Sequence, residues 1–383
     1  MRRFGPAPSA SRPAETARAP KIGIAHGAIV SRDAIGHDIL GMQQVLTDSG
    51  FETCLIADHF GTDLPPELES LSVGDAIARR DFDLLIYHHS ILWENGETLL
   101  RALPVRRLLK YHNVTPPEFF TDYSRRYADL CRAGRAQTVR LVQLFGPQDR
   151  FAAASAYNAA ELAAAGARDV FVVPPFTGMK VAASRRPTLP TAPYRALFVG
   201  RLVPNKGHLG LLNTIAAYVA SQGPAIRLQI VGAADAEFDA YRRDLEEQID
   251  RLDIRPQVVL SGGVDREALE RLYTEASVYL CLSEHEGFCV PIIEAQAVGL
   301  PVVSVDTAAL GETIGPGQLV VPAPTSRVDY LHIARLVQAV CTEPELRQAA
   351  IRAGYRNLLT RFTPAIVADR FMDAVVPLLG PRS

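Results

Sequence analysis

The sequence predicts an α/β fold built as two doubly wound parallel sheets, and three observations carry that expectation. Short apolar runs alternate with longer helical patterns from residue 21 onward, as strand–helix–strand units of a parallel sheet require. The 383 residues exceed what one ordinary core encloses and suggest about two domains. Between two sets of apolar runs lie residues 177–194, with three prolines and no apolar period, which read as an interdomain linker.

In chain order, residues 21–176 offer KIGIAHG, ETCLIA, DLLIYHHS, RLLKYHN, FAAAS and VFVVP as buried strands. Residues 195–363 repeat the pattern with RALFVG, RLQIVG, VVLSGG, VYLCLS, PVVSVD and LVVP. The final stretch, residues 364–383, is apolar at helical spacing and should pack back across the molecule. Residues 1–20, rich in Ala, Pro and Arg, lack the apolar centre of a secretory signal and read as a disordered tail. Ligands of doubly wound sheets bind at strand C-terminal ends, so the two domains should share one cleft.

A composition of 48% hydrophobic and 21% charged residues is that of a soluble globular protein. The formal charge of -2 gives no overall basic character and argues against nucleic acid as a partner. No apolar run approaches the roughly 20 residues of a membrane span. The five cysteines (Cys54, Cys131, Cys281, Cys289, Cys341) have no zinc-like spacing. They fit free thiols in a reducing, cytoplasmic setting.

Residues 283–306, SEHEGFCVPIIEAQAVGLPVVSVD, are the most informative segment. A strand ends before it, and Pro291 stands where a helix would take proline at its first position. Gly299 and Pro301 close that helix. Gly287, Phe288 and Cys289 thus lie between a strand end and a helix N-terminus, where free N–H groups and the helix dipole suit a diphosphate. Glu286 and Glu294 flank this loop; near a dianion they repel, but as acceptors they suit hydroxyls on either side of it. A nucleotide-sugar has hydroxyls on both sides of a diphosphate. Either acid alone would read as an ordinary solvated or helix-start residue; the whole segment favours the ligand. In LFVGRLVPNKGH, Gly200 ends a strand, Arg201 follows it, and Lys206 precedes the next helix. Two cations there could neutralise a diphosphate. The glycine spacing is not that of a phosphate-binding P-loop.

VGRL with a following Lys-Gly, then E-G-F-x-x-P-x-x-E-A and G-x-P-V-V, resembles the C-terminal domain of glycosyltransferase family 4. The resemblance implies a retaining enzyme of the GT-B fold, with two Rossmann-like domains facing a central cleft. It implies Arg201 and Lys206 for the diphosphate, Glu286 for the donor sugar, Glu294 for the ribose, and the amides of Gly287, Phe288 and Cys289 for phosphate or sugar. Many relatives carry Gly where Cys289 stands, so this loop should be stiffer and its sugar preference altered. No catalytic metal and no cofactor are implied; the nucleotide-diphosphate sugar is the donor substrate.

In the first half, YHHS and KYHNVTPPEFF each place histidine at a strand end, where it faces the cleft. The resemblance maps a histidine near the reacting carbon onto His112. His88 is a second candidate, equally readable as a structural histidine, and His89 should point away from it. Asp33 and Gly36 follow the first strand in a loop that, in the family, lies in the cleft. His37 and Asp38 could equally be first-turn residues of a helix. Asp81 and Asp83 precede a strand, the wrong sheet edge for a catalytic metal, and read as structural. Arg101, Arg106, Arg107, Lys110, Arg125 and Arg126 make a basic half that could meet an anionic membrane, or be a solvated face.

The expectation is therefore transfer of a hexose, mannose favoured, from a GDP- or UDP-linked donor to a glycan, lipid-linked or small-molecule hydroxyl. Polysaccharide or glycoconjugate biosynthesis is the setting implied. A nucleotide-sugar epimerase on the same fold and an inactive nucleotide-binding scaffold are the alternatives.

Overall fold

The computed structural model describes residues 18–31, 33–178 and 188–379; most of the expected tail (1–20) and half of the expected linker (177–194) lie outside them. The first sheet comprises β1 (Lys21–Ala25), β2 (Glu52–Ile56), β3 (Ser70–Leu71), β4 (Leu84–His89), β5 (Arg106–Tyr111), β6 (Arg150–Ala153) and β7 (Val170–Val172). The second comprises β8 (Tyr194–Val199), β9 (Ile226–Val231), β10 (Val258–Leu260), β11 (Val278–Cys281), β12 (Val302–Val305) and β13 (Leu319–Val321). Every run expected to be a strand forms one. β3 escapes a sequence reading because two partly exposed residues carry no apolar pattern.

All pairings within both sheets are parallel. The orders are β3-β2-β1-β4-β5-β6-β7 and β10-β9-β8-β11-β12-β13. Each sheet grows outward from its first strand and then reverses, so each has a switch point, between β1 and β4 and between β8 and β11. Helices fold back on both faces, and β1, β4 and β11 are buried along their whole length.

The helix Ala34–Asp48 starts where the Asp33 side chain accepts the Gly36 N–H at 2.6 Å. Gly36 is required by packing, since a Cβ there would lie 1.6 Å from the Val30 carbonyl oxygen. Both residues, expected as cleft candidates, thus serve the start of this helix. Asp81 and Asp83 are structural: Asp81 pairs with Lys21 and Arg79, and Asp83 accepts the Lys21 N–H at 2.7 Å.

The expected basic half does not form one cationic face. Lys110 is fully buried, Arg107 is held by Asp149 at 2.5 Å, Arg101 by Glu97 at 2.8 Å, and Arg106 donates to the Leu378 carbonyl at 2.7 Å. Arg126 pairs with Glu237 of the second domain. Spacing along the chain could not reveal these partners, because most lie dozens of residues away.

The C-terminal helix, Pro364–Leu379, leaves the second domain and packs on the first. Val367, Phe371, Ala374, Val375 and Leu378 join Ile22, Ile24, Ile86 and Leu108 in one core. Phe371 meets Phe176 with ring centroids 6.3 Å apart. Because Phe371 is fully buried, Phe371→Ala should cost about 3–5 kcal/mol. A lowered urea midpoint for the unfolding of the first domain would show it; an unchanged midpoint would contradict the packing role of this helix.

Candidate active site

The second domain supplies two loops at its switch point. After β8 the chain passes Gly200 and Arg201 into a short turn, Pro204–Lys206. After β11 it runs through residues 282–289 into the helix Val290–Ala297. The Asn205 carbonyl accepts the N–H groups of Glu284 and His285 at 2.9 and 3.2 Å, and its side chain donates to the His285 carbonyl at 3.0 Å. Gly207 adopts φ 66°, and a Cβ there would sit 1.9 Å from the Leu282 carbonyl oxygen. Only glycine permits that approach. These contacts place the Lys206 ammonium 2.7 Å from the Glu286 carboxylate, with both side chains largely buried. Burial opposes the lysine charge, but the Glu286 carboxylate outweighs it and holds Lys206 above its ordinary range.

The loop between Glu286 and the helix is pinned on both sides. Phe288 is buried against Phe362, with centroids 5.4 Å apart, and its carbonyl accepts the Thr313 hydroxyl at 2.5 Å. Cys289 caps the helix at φ 77°, an unusual conformation for a side chain with a Cβ. Glu294, inside the helix, accepts the Tyr273 hydroxyl at 2.7 Å, and burial pushes its carboxyl up. Arg201 is half exposed, pairs with Asp235, and reaches the Tyr127 hydroxyl of the first domain at 3.4 Å.

At Gly287 the backbones of the two domains come close together. A Cβ on it would lie 2.4 Å from the His112 carbonyl oxygen and 2.8 Å from the Asn113 Cβ. The Ser155 hydroxyl donates to the Gly287 carbonyl at 2.8 Å while accepting the Asn158 N–H at 3.1 Å as a helix cap. Beside it, the Glu312 carboxylate of the second domain accepts the Ala156 N–H at 2.9 Å, placing a negative charge at that helix's positive end. Asn205, Asn113, Ser155 and Glu312 had no signal in the sequence beyond their residue type.

Across the cleft the first domain's switch point presents a buried cluster. His88 Nδ1 lies 2.8 Å from His112 Nε2. Asp38 Oδ2 stands 3.7 Å from that same His112 nitrogen and 3.8 Å from Lys110 Nζ. The other Asp38 oxygen accepts the Phe176 N–H at 2.9 Å. His89 turns away, as expected, to Thr138 at 2.9 Å. Asp38, left open as a first-turn residue by the sequence, and Lys110, read there as surface charge, are the charged centre of this cluster. Burial raises the Asp38 carboxyl and lowers the Lys110 ammonium, each partly offset by the other. Burial also drives His88 and His112 well below the ordinary imidazole range, so both rings are neutral.

Asp38, His88 and His112 are the group among the described residues that could hold a metal ion, with ligand atoms within 4.8 Å of one another. Lys110 already balances Asp38 there, so a dication would add net charge to a buried pocket.

Residues 181–357 match the family model for glycosyl transferases group 1. The second domain belongs to this family. Among curated relatives, GDP-mannose:cellobiosyl-diphosphopolyprenol alpha-mannosyltransferase of Xanthomonas oryzae pv. oryzae is 36% identical over 199 residues, half of each chain. GDP-mannose-dependent alpha-mannosyltransferase of Mycobacterium tuberculosis is 30% identical over 189 residues, 49% of this chain and 43% of that protein. The chain thus spans about half the length of the curated relatives it matches. The Anabaena protein HepE, solved with UDP and glucose, superposes with a TM-score of 0.72 over 93% of this chain and 99% of its own at 15% identity. The fold is GT-B, as the resemblance implied.

Two outcomes are expected from this geometry. Gly287→Ala should wedge the domains apart at His112 and cost about 1–3 kcal/mol; an unchanged melting temperature would show that the loop yields freely. His89 is neutral in the folded protein, its pKa pushed down by burial to about 3. The unfolded chain binds that proton below about pH 6.5, so stability is lost on acidification from there, by about 1.4 kcal/mol per pH unit. His89→Gln should flatten the slope of stability between pH 6.5 and 5 by about that amount. Parallel slopes in urea titrations of the two proteins would contradict a neutral buried His89.

Proposed function

We propose that the protein is a retaining hexosyltransferase that moves a sugar, mannose favoured, from a nucleotide diphosphate to a hydroxyl acceptor. The observation that carries this reading is the Lys206–Glu286 pair at the helix Val290–Ala297, set against His112 across the cleft. The diphosphate would lie on the amides after Glu286, with Lys206 and a released Arg201 taking up its charge. Glu286 would then turn to the sugar hydroxyls, and Glu294 with Tyr273 to the ribose.

Among the described residues no carboxylate is identified as a nucleophile for a covalent sugar intermediate, so the reading is front-face substitution. The bond from the anomeric carbon to the leaving phosphate oxygen breaks as the acceptor oxygen bonds the same face. The acceptor proton passes to that phosphate oxygen. Neutral His112 would orient a sugar hydroxyl rather than transfer a proton.

Two curated relatives are named for GDP-mannose and one of them for a lipid diphosphate acceptor, cellobiosyl-diphosphopolyprenol. These names favour a guanosine donor and a glycan or lipid-linked acceptor, with polysaccharide or glycoconjugate assembly as the setting. The reading needs no metal and no cofactor. It is compatible with a cytoplasmic enzyme that works at a membrane surface through its acceptor.

Incubation with GDP-mannose or UDP-glucose and a panel of glycan, lipid-linked and sugar acceptors, followed by proton NMR of the product, tests it. An α-linked product is expected. Lys206→Ala should lower kcat/KM at least about 100-fold, and Glu294→Gln should raise the donor KM about tenfold through a lost hydrogen bond. Near-normal turnover in both variants would sink the assignment, and conversion of the donor without any acceptor would point to an epimerase instead.

A further inference from the structure

Two of the five thiols meet inside the loop that leads to the helix Val290–Ala297. Cys281 ends β11, Cys289 caps the helix, and their sulfurs lie 4.0 Å apart. Both are buried, Cys281 wholly and Cys289 at 7% exposure. Cys289 holds a left-handed backbone conformation that glycine would adopt without strain. A disulfide needs the sulfurs at about 2.05 Å, so about 2 Å must close, a distance that side-chain rotation and a small loop shift can supply.

We propose that Cys281 and Cys289 form a reversible disulfide, a redox modification site that disarms the anion-binding loop. The surroundings favour the chemistry. Ser283 Oγ lies 3.6 Å from Cys281 Sγ, a contact that favours thiolate at Cys281, while the hydrogen bond with Cys281 and burial hold the Cys289 thiol up. The hydrogen bond from Cys289 lowers the Cys281 thiol against burial and Glu286.

The oxidant is a small hydroperoxide. The Cys281 thiolate attacks one peroxide oxygen, the O–O bond breaks, and the departing hydroxide takes up the thiol proton as water. The Cys289 sulfur then attacks the resulting sulfenic sulfur. The S–S bond forms, and the sulfenic oxygen leaves as a second water with the Cys289 proton. Two thiols are oxidised and one peroxide is reduced.

The bridge would draw the helix cap toward the end of β11. The amides of Phe288 and Cys289 would shift, and with them the alignment of Glu286 and Lys206. Loss of nucleotide binding on oxidation rests on the function proposed above; formation of the bridge does not.

The full chain is treated with hydrogen peroxide, residual thiols are blocked with N-ethylmaleimide, and peptides are mapped by mass spectrometry. A 281–289 disulfide reversed by dithiothreitol is expected in the native protein and absent from Cys281→Ser. Calorimetry with GDP and UDP should show roughly tenfold weaker binding after oxidation, about 1.4 kcal/mol. Reduction should restore it, and the affinity of Cys281→Ser should ignore peroxide. Full alkylation of both thiols after peroxide, a disulfide elsewhere, or a 281–289 bridge with unchanged affinity would overturn the inference. If the reduced protein binds neither GDP nor UDP, the proposed function falls and the binding half of this inference with it, while the peptide map alone decides the bridge.

Discussion

The meeting of Gly287 with the His112 carbonyl governs the rest of the site, because it lets backbone touch backbone between two separately folded sheets. Any side chain at residue 287 would hold the domains apart. With glycine there, Ser155 reaches the Gly287 carbonyl, and Glu312 reaches the helix that Ser155 caps. Each contact crosses the cleft and uses a group that its own domain would otherwise leave to water. The closure is polar and backbone-based at this point, whereas elsewhere along the contact Phe120, Tyr123 and Tyr127 of the first domain pack against Phe238 and Tyr241 of the second.

Charge is divided unequally between the two switch points. The second domain offers Lys206, Arg201 and a helix N-terminus, and each cation is already answered by an acid: Glu286 for Lys206 and Asp235 for Arg201. An arriving diphosphate would displace carboxylates from cations rather than find them bare, which limits the desolvation cost of keeping such charges under cover. The first domain keeps the Asp38–Lys110 pair fully buried behind the histidines, and presents neutral imidazole and a carbonyl to the cleft.

How much of this was legible in the sequence depends on range. Period-two and fully apolar runs disclosed every long strand, and the punctuation by Pro291, Gly299 and Pro301 framed the helix Val290–Ala297, because those signals are local. Lys206, Glu286, Glu294 and His112 were legible as candidates from strand-end placement and family resemblance. Asp38 was not, because a carboxylate in a first helical turn looks the same whether it caps, solvates or turns inward to a lysine 72 residues on. Lys110 was misread for the complementary reason: β5 is buried on both faces, so alternation could not tell its inward face from its outward one. Asp33 and Gly36 were picked for their position after β1, yet cap geometry and a close approach to Val30 account for them.

The same division of charge bears on how a transfer at this cleft would run. Leaving-group charge develops on phosphate oxygens, and the cations stand on the side that would hold them. Positive charge develops on the sugar ring, and the His112 carbonyl and a neutral imidazole pair stand on the side that would face it. A protonated histidine there would oppose that charge, and burial keeps the protons off. The buried Lys110 ammonium adds to burial in keeping both rings neutral. On this view the buried cluster keeps the first domain's face of the cleft neutral, and the second domain's paired cations supply the charge.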